Sequence, residues 1–541
     1  PGVGFASLQA GSDANRTAVS VFYGYYVGHR HFDRLHIDLF SHRNSLLPDL
    51  GHPETADSFD PRRSGFFEHT VTHNTVMMDA AKQAHSRGRL HVYDPGPWVQ
   101  TIEVSAEDAY PGKAGLYRRT LILVEVEPDQ AFVVDVFRVR GGRQHDYLLH
   151  GTQAQFATDL PLSPPRREGT LAGRDVPYGQ FYDDPVRRDK PAGTVAYSGY
   201  TGSGFQFLFN VQETALRQPA TVNWHLNRSP ELFPKRPTEG VTLRAHLVGS
   251  EEQVLVAEGR PQNRATWPET VTWLIRRRTG EDLESLFVTV FEPYKDRPFI
   301  EAVTPHPTTG EGTPVALTVR AAGHAFLVCS RLCDGSVSTL QAGSGEEAVA
   351  TDGAVTVLAR DAAGALAKAY LLGGSEATWG NARVTGNQSM IATVAAVDYQ
   401  AGEVTLDRAL PDHAPCGDAA IVTNQWLGAD IPMVRRLAPA RFSVGDDDLT
   451  AGRFAVQEVV GDTIRVTPPM AFFVQPGMTV VNERGEAVAR LLEVRGNRFV
   501  LSVPVPGIEA FPDADGDGRR SIAVTVVGPG DRVTLHHSVR R

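Results

Sequence analysis

Short apolar runs separated by turn residues dominate the chain. Segments rich in Val, Ile, Thr, Phe and Tyr alternate with Gly, Pro, Asp and Asn, as in Thr120–Val126, Gln130–Arg138, Gln206–Asn210, Thr270–Arg276 and Leu286–Phe291. This is the signature of strands joined by turns. No long segment keeps the 3.6-residue apolar period of an amphipathic helix. Only Thr75–Gln83 and Ala362–Lys368 are ambiguous between a short helix and another element. The expected fold is all-β: a large antiparallel sandwich followed by smaller β domains.

The run Gly28-His29-Arg30-His31-Phe32-Asp33, continuing through Leu35, Ile37 and Leu39, reads as one strand. Alternate residues of a strand share a face. His29, His31 and Asp33 then line up with Leu35, Ile37 and Leu39, polar at one end and apolar at the other. That is the profile of a pocket at the edge of a sandwich core.

Three blocks are expected. Residues 1–302 hold most of the histidine and aromatic content and form the sandwich. Residues 303–375 open on a Pro-, Thr- and Gly-rich loop and form a small β domain. Residues 376–541 form a β-rich accessory region with strand pairs such as Ile391–Val397 with Val404–Leu406, and Thr463–Val466 with Met478–Val481. The phrases around Val404-Thr405-Leu406 and Arg465-Val466-Thr467 hint at a weak internal duplication.

Length and charge narrow the function. At 541 residues the chain exceeds a single core. A net charge of −10 argues against a nucleic-acid partner. No window is apolar for the ~20 residues of a membrane-spanning helix. The three cysteines, Cys329, Cys333 and Cys416, are no disulfide framework and are expected as small buried hydrophobes. The chain begins at Pro1 with no signal-peptide pattern and enters strand-like sequence by Ala18, so a processed or truncated product is expected. The expected location is periplasmic or secreted.

Two histidines at i and i+2 on a strand can reach one metal ion or one substrate, and zinc accepts imidazole nitrogen and carboxylate oxygen in sets of four. Further partners lie in Leu46-Leu47-Pro48-Asp49-Leu50-Gly51 and in His73-Asn74-Thr75-Val76-Met77-Met78-Asp79, with Glu68 and His69 just before the latter. A plain hairpin turning at His42–Asn44 would set Asp49 opposite Ile37, six residues or about 20 Å from His31. Convergence of these groups therefore requires a bulge or a shifted register.

Gly28-His-x-His-x-Asp33, Leu47-Pro-Asp49-x-Gly51 and His73-Asn-Thr-Val76 together resemble the C-terminal β module of heparinase II/III-like polysaccharide lyases, a group that includes heparan sulfate and alginate lyases. Tyr117-Arg118-Arg119, Phe132-Val-Val-Asp135, Arg138-Val-Arg-Gly-Gly142, His145 and His150-Gly151 extend the likeness over about residues 1–300; residues 303–541 match no pattern. The resemblance implies that His29 lines the catalytic cleft and handles a proton. It implies that His31, Asp49 and His73 hold a structural zinc, with Asp33 beside them fixing a ring tautomer or the backbone. Gly28 stands where some relatives have Asn, and His36 where relatives often have Ser. The implied reaction is β-elimination on a uronic-acid polysaccharide: a base removes the C5 proton and the C4–O bond breaks. The remaining catalytic groups of such enzymes come from an N-terminal α/α toroid, which these residues do not contain. The chain is then expected to be the C-terminal portion of a larger lyase, with that toroid and an acidic polysaccharide as its partners.

Other candidates carry less. Tyr23, Tyr25 and Tyr26 are expected in packing, and Arg62, Arg63 and Lys82 on a solvated face that an anionic polymer could touch. Asp513-Ala-Asp515-Gly-Asp517-Gly518 resembles the start of a calcium loop, but Val524 stands at the twelfth position, where an EF-hand has Glu. Two rivals to the lyase are open. One is a zinc hydrolase using His29-x-His31-x-Asp33, although Arg34 follows where the corresponding motif usually has His. The other is a non-catalytic carbohydrate-binding or structural β module.

Overall fold

The computed structural model of the chain describes all residues except 1–3, 14, 25–30, 54–55, 153–154, 192, 227–237, 250, 263–266, 334–337, 410–418, 425–428, 434, 445–448 and 468–473. It is nearly all sheet, and every strand pairing among the described residues is antiparallel.

An eight-stranded sheet is the backbone of the first half. It runs in space from Phe156–Thr158 through Ala220–His225, Val241–Val248, Glu284–Lys295, Gln130–Arg140, Leu116–Glu127 and Val99–Ser105 to Arg89–Asp94. Its central strands are apolar on both faces, as in Leu121-Ile122-Leu123-Val124. Leu121 and Leu123 enter one core and Ile122 and Val124 another, because successive side chains point to opposite faces.

The first of those cores lies between the eight-stranded sheet and two smaller ones. One is a four-stranded meander, Phe5–Ala10, Thr17–Phe22, His36–Ser41 and Asn44–Leu47; the other is a five-stranded sheet built on Gln144–His150 and Val271–Thr279 with Val76–Met78 at its edge. On the far side of the eight-stranded sheet lies a six-stranded sheet whose inner strands are Val315–Ala321, His324–Ser330, Val355–Arg360 and Leu366–Leu372. Strand Ile300–His306 runs across residue 303, and the chain's last strand, Ser538–Arg540, returns to pair with Leu366–Leu372. A third apolar cluster, with Phe66, Phe67, Phe181, Phe207 and Trp273, fills the outer face of the five-stranded sheet.

Two buried ion pairs tie the sandwich together. Arg119 and Asp135, both fully buried, pair through two hydrogen bonds of 2.8 and 2.6 Å, and Arg276 pairs with Glu252. The spare Nη1 of Arg119 donates to the carbonyls of Leu35 and Asn74, both at 2.6 Å. A cation from the central sheet thus pins the two segments that follow His31 and His73.

Several sequence expectations change. The segment after His31 is not a strand: the strand begins only at His36, after a turn in which His36 N donates to the Asp33 carbonyl and Leu35 takes a left-handed φ of 61°. Leu35, Ile37 and Leu39 are nevertheless fully buried, as the alternation implies. Thr75–Gln83 contains strand Val76–Met78, and Ala362–Lys368 is a turn leading into Leu366–Leu372. Met390–Asp398 does pair with Glu403–Leu406. Thr463–Thr467 and Thr479–Asn482, however, are not partners. In the closed six-stranded barrel of residues 450–525 the first pairs with Thr450–Val460 and Arg498–Leu501, and the second with Ala487–Arg495 and Ser521–Thr525. Tight turns at Gly461, Gly485 and Gly496, all at positive φ, join three pairs of sequence-adjacent strands of that barrel.

Candidate metal centre

His31, Asp49 and His73 converge. His31 Nδ1 lies 3.1 Å from Asp49 Oδ2 and 3.0 Å from His73 Nε2, and the latter is 3.0 Å from the same Asp49 oxygen. Each arrives from a different local device. His31 precedes the Asp33–His36 turn, and the backbone of Phe32 next to it is stitched to the following segment: Phe32 N donates to the Glu68 carbonyl and Thr70 Oγ1 to the Phe32 carbonyl. His73 ends the 3₁₀ turn Thr70–Thr72. Asp49 follows the last strand of the meander, where its backbone N–H donates to Asp38 Oδ1. Its Oδ1 accepts from Gly51 N at 2.5 Å, a tight turn that uses the left-handed φ of Gly51.

The distance problem posed by a simple hairpin is solved twice over. A bulge between Leu39 and Phe40 shifts the register of the hairpin. The turn at Asp33–His36 then folds His31 back towards Asp49 instead of extending it away.

The donor set fits a cation. A carbonyl only accepts, so the 2.9 Å contact between His73 Nδ1 and the His69 carbonyl places the proton on Nδ1 and turns Nε2 with its lone pair inward. His31 is oriented in the same manner: its Nε2 contacts His52 Nδ1 at 3.1 Å, and a proton given there leaves Nδ1 facing the site. Two imidazole lone pairs and a carboxylate oxygen at about 3 Å repel unless a positive charge sits among them. Zinc–nitrogen bonds of about 2.0–2.1 Å place tetrahedral ligand atoms roughly 3.3 Å apart, close to this triangle. Without a metal a proton answers the same need. Burial pulls His31 down, but Asp49 more than offsets it and holds the ring at about 9; burial pushes Asp49 up, but His31 and His73 hold it well below the usual carboxylate range.

Asp33 brings a carboxylate oxygen within 4.8 Å of the three ligand atoms. Its Oδ1 is buried with no hydrogen-bond partner, although Arg34 Nη2 stands 3.4 Å away. Arg34, at the position where the hydrolase motif has a ligand His, is packed in the core, over the Phe22 ring and 3.4 Å from the His31 carbonyl. His29 lies outside the described residues, as do Gly28, Tyr25 and Tyr26; Tyr23 is buried.

Among the described residues, His69, His36 and His145 are held by hydrogen bonds to the surrounding chain. His69 Nδ1 accepts from Val71 N and Nε2 donates to the Gly202 carbonyl; burial and then Lys82 hold this ring neutral. His36 Nδ1 accepts from Asn74 N, and His145 spans Ser285 and the Gly141 carbonyl. Glu68 pairs with Arg63 at 2.7 Å. Lys82 is not a solvated side chain: it is buried with its ammonium 4.3 Å above the Phe32 ring.

Sequence reading missed His52 and Glu483. His52 follows Asp49-Leu50-Gly51 directly, and a third imidazole beside that turn was the available signal. Glu483 joins Asp513 and Asp515 in the acidic turn from a hairpin thirty residues upstream, a contact no local pattern announces. Asp517 is not part of that group; its Oδ1 accepts from Arg519 N. Glu483 already accepts from Ala514 N and Ser521 N, both at 2.6 Å. Cys329 and Cys333 are buried and free, with burial pushing the Cys329 thiol up to about 12; Cys416 lies outside the described residues.

Residues 1–283 match the family described as heparinase II/III-like, C-terminal. The chain belongs to the heparinase II/III-like family. An alginate lyase of Stenotrophomonas maltophilia (strain K279a) is 24% identical over 238 residues, spanning 39% of this chain and 31% of that protein. Among solved structures, a heparinase III aligns at 12% identity with a TM-score of 0.40, over 61% of this chain and 41% of that one. A heparan sulfate lyase of Pedobacter heparinus aligns at 12% identity and 0.39, over the same shares. The chain thus spans less than half the length of these relatives.

Proposed function

We propose that this chain is the C-terminal part of a polysaccharide lyase that cleaves a uronic-acid-containing polysaccharide, of heparan-sulfate or alginate type, by β-elimination. The observation that carries the reading is the triangle of His31, Asp49 and His73 in a chain of this family. In this reading the three residues hold a structural zinc, with Asp33 alongside. A zinc bound there would hold together the segments that carry His31, Asp49 and His73, and in this reading that order supports the role assigned to His29.

Chemistry at C5 needs two things, a base and a neutralised carboxylate, because the C5 proton is only weakly acidic. His29 is assigned to proton handling. The groups that meet the carboxylate and protonate the leaving oxygen are assigned to a toroid domain of the full-length protein, outside these residues. Export to the periplasm or the exterior is part of the same proposal, since acidic polysaccharides are met there.

The test is the full-length protein on alginate and on heparan sulfate, followed by ultraviolet absorbance of the unsaturated product. The reading expects a rise with the full-length enzyme, loss of it in His29→Ala, and no native-rate turnover by the 541-residue chain alone. New reducing ends without absorbance would mean hydrolysis. Binding without turnover would leave a carbohydrate-binding module. Full activity of the isolated chain would overturn the division of the active site.

A further inference from the structure

Beside the loop that carries Asp49 lie two guanidinium groups, Arg260 exposed and Arg62 half-buried. Arg62 and Arg260 form no ion pair among the described residues, in a chain whose net charge is −10. Arg260 is exposed and makes no side-chain hydrogen bond among the described residues; its guanidinium lies 5.2 Å from the Tyr178 ring centre and 5.4 Å from that of Phe209. Tyr178 is itself an exposed aromatic, at 37%.

Arg62 is fixed rather than mobile. Its Nη2 donates to the carbonyls of Arg260 and Pro261 at 2.8 and 2.9 Å, and its guanidinium covers the Phe67 ring at 4.7 Å. Its Nε is buried with no partner. The two cations are therefore held as neighbours by the backbone of one, although like charges repel. Stacking on aromatic faces leaves the N–H edges of the exposed Arg260 guanidinium to solvent, and those edges are the carboxylate-binding part of the group. On Arg62, with Nη2 committed and Nε buried, Nη1 is left for a ligand.

The patch is tied to the metal loop. Gln262, two residues beyond Arg260, donates from Nε2 to the Leu50 carbonyl at 2.7 Å, between Asp49 and Gly51. A sheet irregularity helps to present it: strand Leu208–Leu216 carries a bulge between Phe209 and Gln212, with Asn210 at a left-handed φ of 52°.

We infer that Arg62, Arg260, Tyr178 and Phe209 form a subsite for one uronate residue of an acidic oligosaccharide, the carboxylate meeting the guanidiniums and the sugar's C–H face meeting the rings. This rests on the proposed lyase reading and deepens it: the carboxylate bound here belongs to a sugar flanking the one that reacts, so the patch sets affinity and length preference rather than chemistry. Selectivity is for carboxylated over neutral saccharides.

The experiment is titration calorimetry of the 541-residue chain with a defined uronate oligosaccharide from alginate, a neutral oligosaccharide of equal length, and a heparin oligosaccharide. The subsite expects salt-sensitive binding of the uronate and none of the neutral sugar, a loss of at least tenfold in Arg260→Gln, and a further loss in Arg260→Glu, with zinc content unchanged. Arg260 is the clean position, since replacing Arg62 also removes the clamp on residues 260–261. In the full-length enzyme Arg260→Gln raises KM at least tenfold, in larger proportion than it lowers kcat. Equal uronate binding by wild type and Arg260→Gln, or no uronate binding by the wild type, overturns the subsite even where the full-length enzyme is an active lyase. Preference for heparin with no affinity for the alginate fragment assigns the patch to sulfate esters and overturns it as a uronate site. Absence of unsaturated product from every uronate polymer overturns the lyase reading while leaving the calorimetry to decide the patch.

Discussion

His73 Nε2 stands 3.0 Å from Asp49 Oδ2, and the ring cannot turn away because its Nδ1 is committed to the His69 carbonyl. An acceptor nitrogen and a carboxylate oxygen so held need a positive charge between them, a metal ion or a proton. The proposed zinc site therefore predicts about one zinc per chain by metal analysis of the purified protein. Asp49→Asn and His73→Ala should each lose it and lower the melting temperature, and a chelator should do the same to the wild type. Full zinc content in both variants would disprove the assignment.

Asp33 brings a buried carboxylate to the triangle, its Oδ1 without a hydrogen bond and 3.4 Å from Arg34 Nη2. Groups that orient or neutralise a metal site usually contribute 10–100-fold in affinity. Asp33→Asn should weaken zinc binding by about that factor in a competition titration, while far-ultraviolet circular dichroism stays that of the wild type. Unchanged affinity would show that Asp33 is only a turn residue.

The Arg119–Asp135 pair ranks as the costliest single target. Both partners are fully buried, Tyr147 adds a 2.6 Å hydrogen bond to Asp135, and Arg119 also holds the Leu35 and Asn74 carbonyls. Asp135→Ala should cost about 3–5 kcal/mol by stranding the cation. Because Leu35 and Asn74 adjoin the metal segments, zinc affinity should fall with stability in denaturant titrations run with and without metal.

Lys82 supplies a pH signature. Burial lowers its ammonium from 10.5 to about 8, Glu68 pulling it back up and Arg187 adding to the fall. Below about 8 folded and unfolded chains are both protonated there, and the folded one bears the cost of a buried charge. Between about 8 and 10.5 only the unfolded chain binds that proton, so this group's contribution to stability improves as pH rises through the window. Lys82→Met should flatten that part of the unfolding-midpoint profile and stabilise most at neutral pH. An identical slope in the variant would contradict the burial.

The hairpin before Asp49 turns on two side-chain-bearing residues in the left-handed region, His42 at φ 48° and Arg43 at φ 63°. Such a turn favours Asn-Gly. A left-handed non-glycine costs about 1–2 kcal/mol and glycine's extra chain entropy about half of that. Arg43→Gly should therefore stabilise by roughly 0.5–1 kcal/mol in thermal unfolding with zinc binding retained. Destabilisation would mean that the Arg43 side chain matters more than the strain.

Much of this molecule was legible in the chain itself, for a local reason. Turn residues and β-branched runs decide strand and turn within a few positions, so the all-β class followed, as did the pairing of Met390–Asp398 with Glu403–Leu406. His31, Asp49 and His73 stood out because each sits in a short motif of its own. Alternation also buried Leu35, Ile37 and Leu39 correctly while misreading the backbone before them. A positive φ at Leu35 is paid for by contacts with Phe22 and Arg119, which lie far away in sequence.

What tertiary structure alone decided was which groups meet. The bulge at Leu39–Phe40 and the fold-back at Asp33–His36 are local but are fixed by the sheets around them, whereas Glu483 reaching the acidic turn and Arg62 clamped to Arg260 are contacts between distant segments. Side-chain type and spacing record what a residue is able to bind. The partner it finds depends on sheet order and register, and these arise from summed burial across several sheets that no short window of sequence contains.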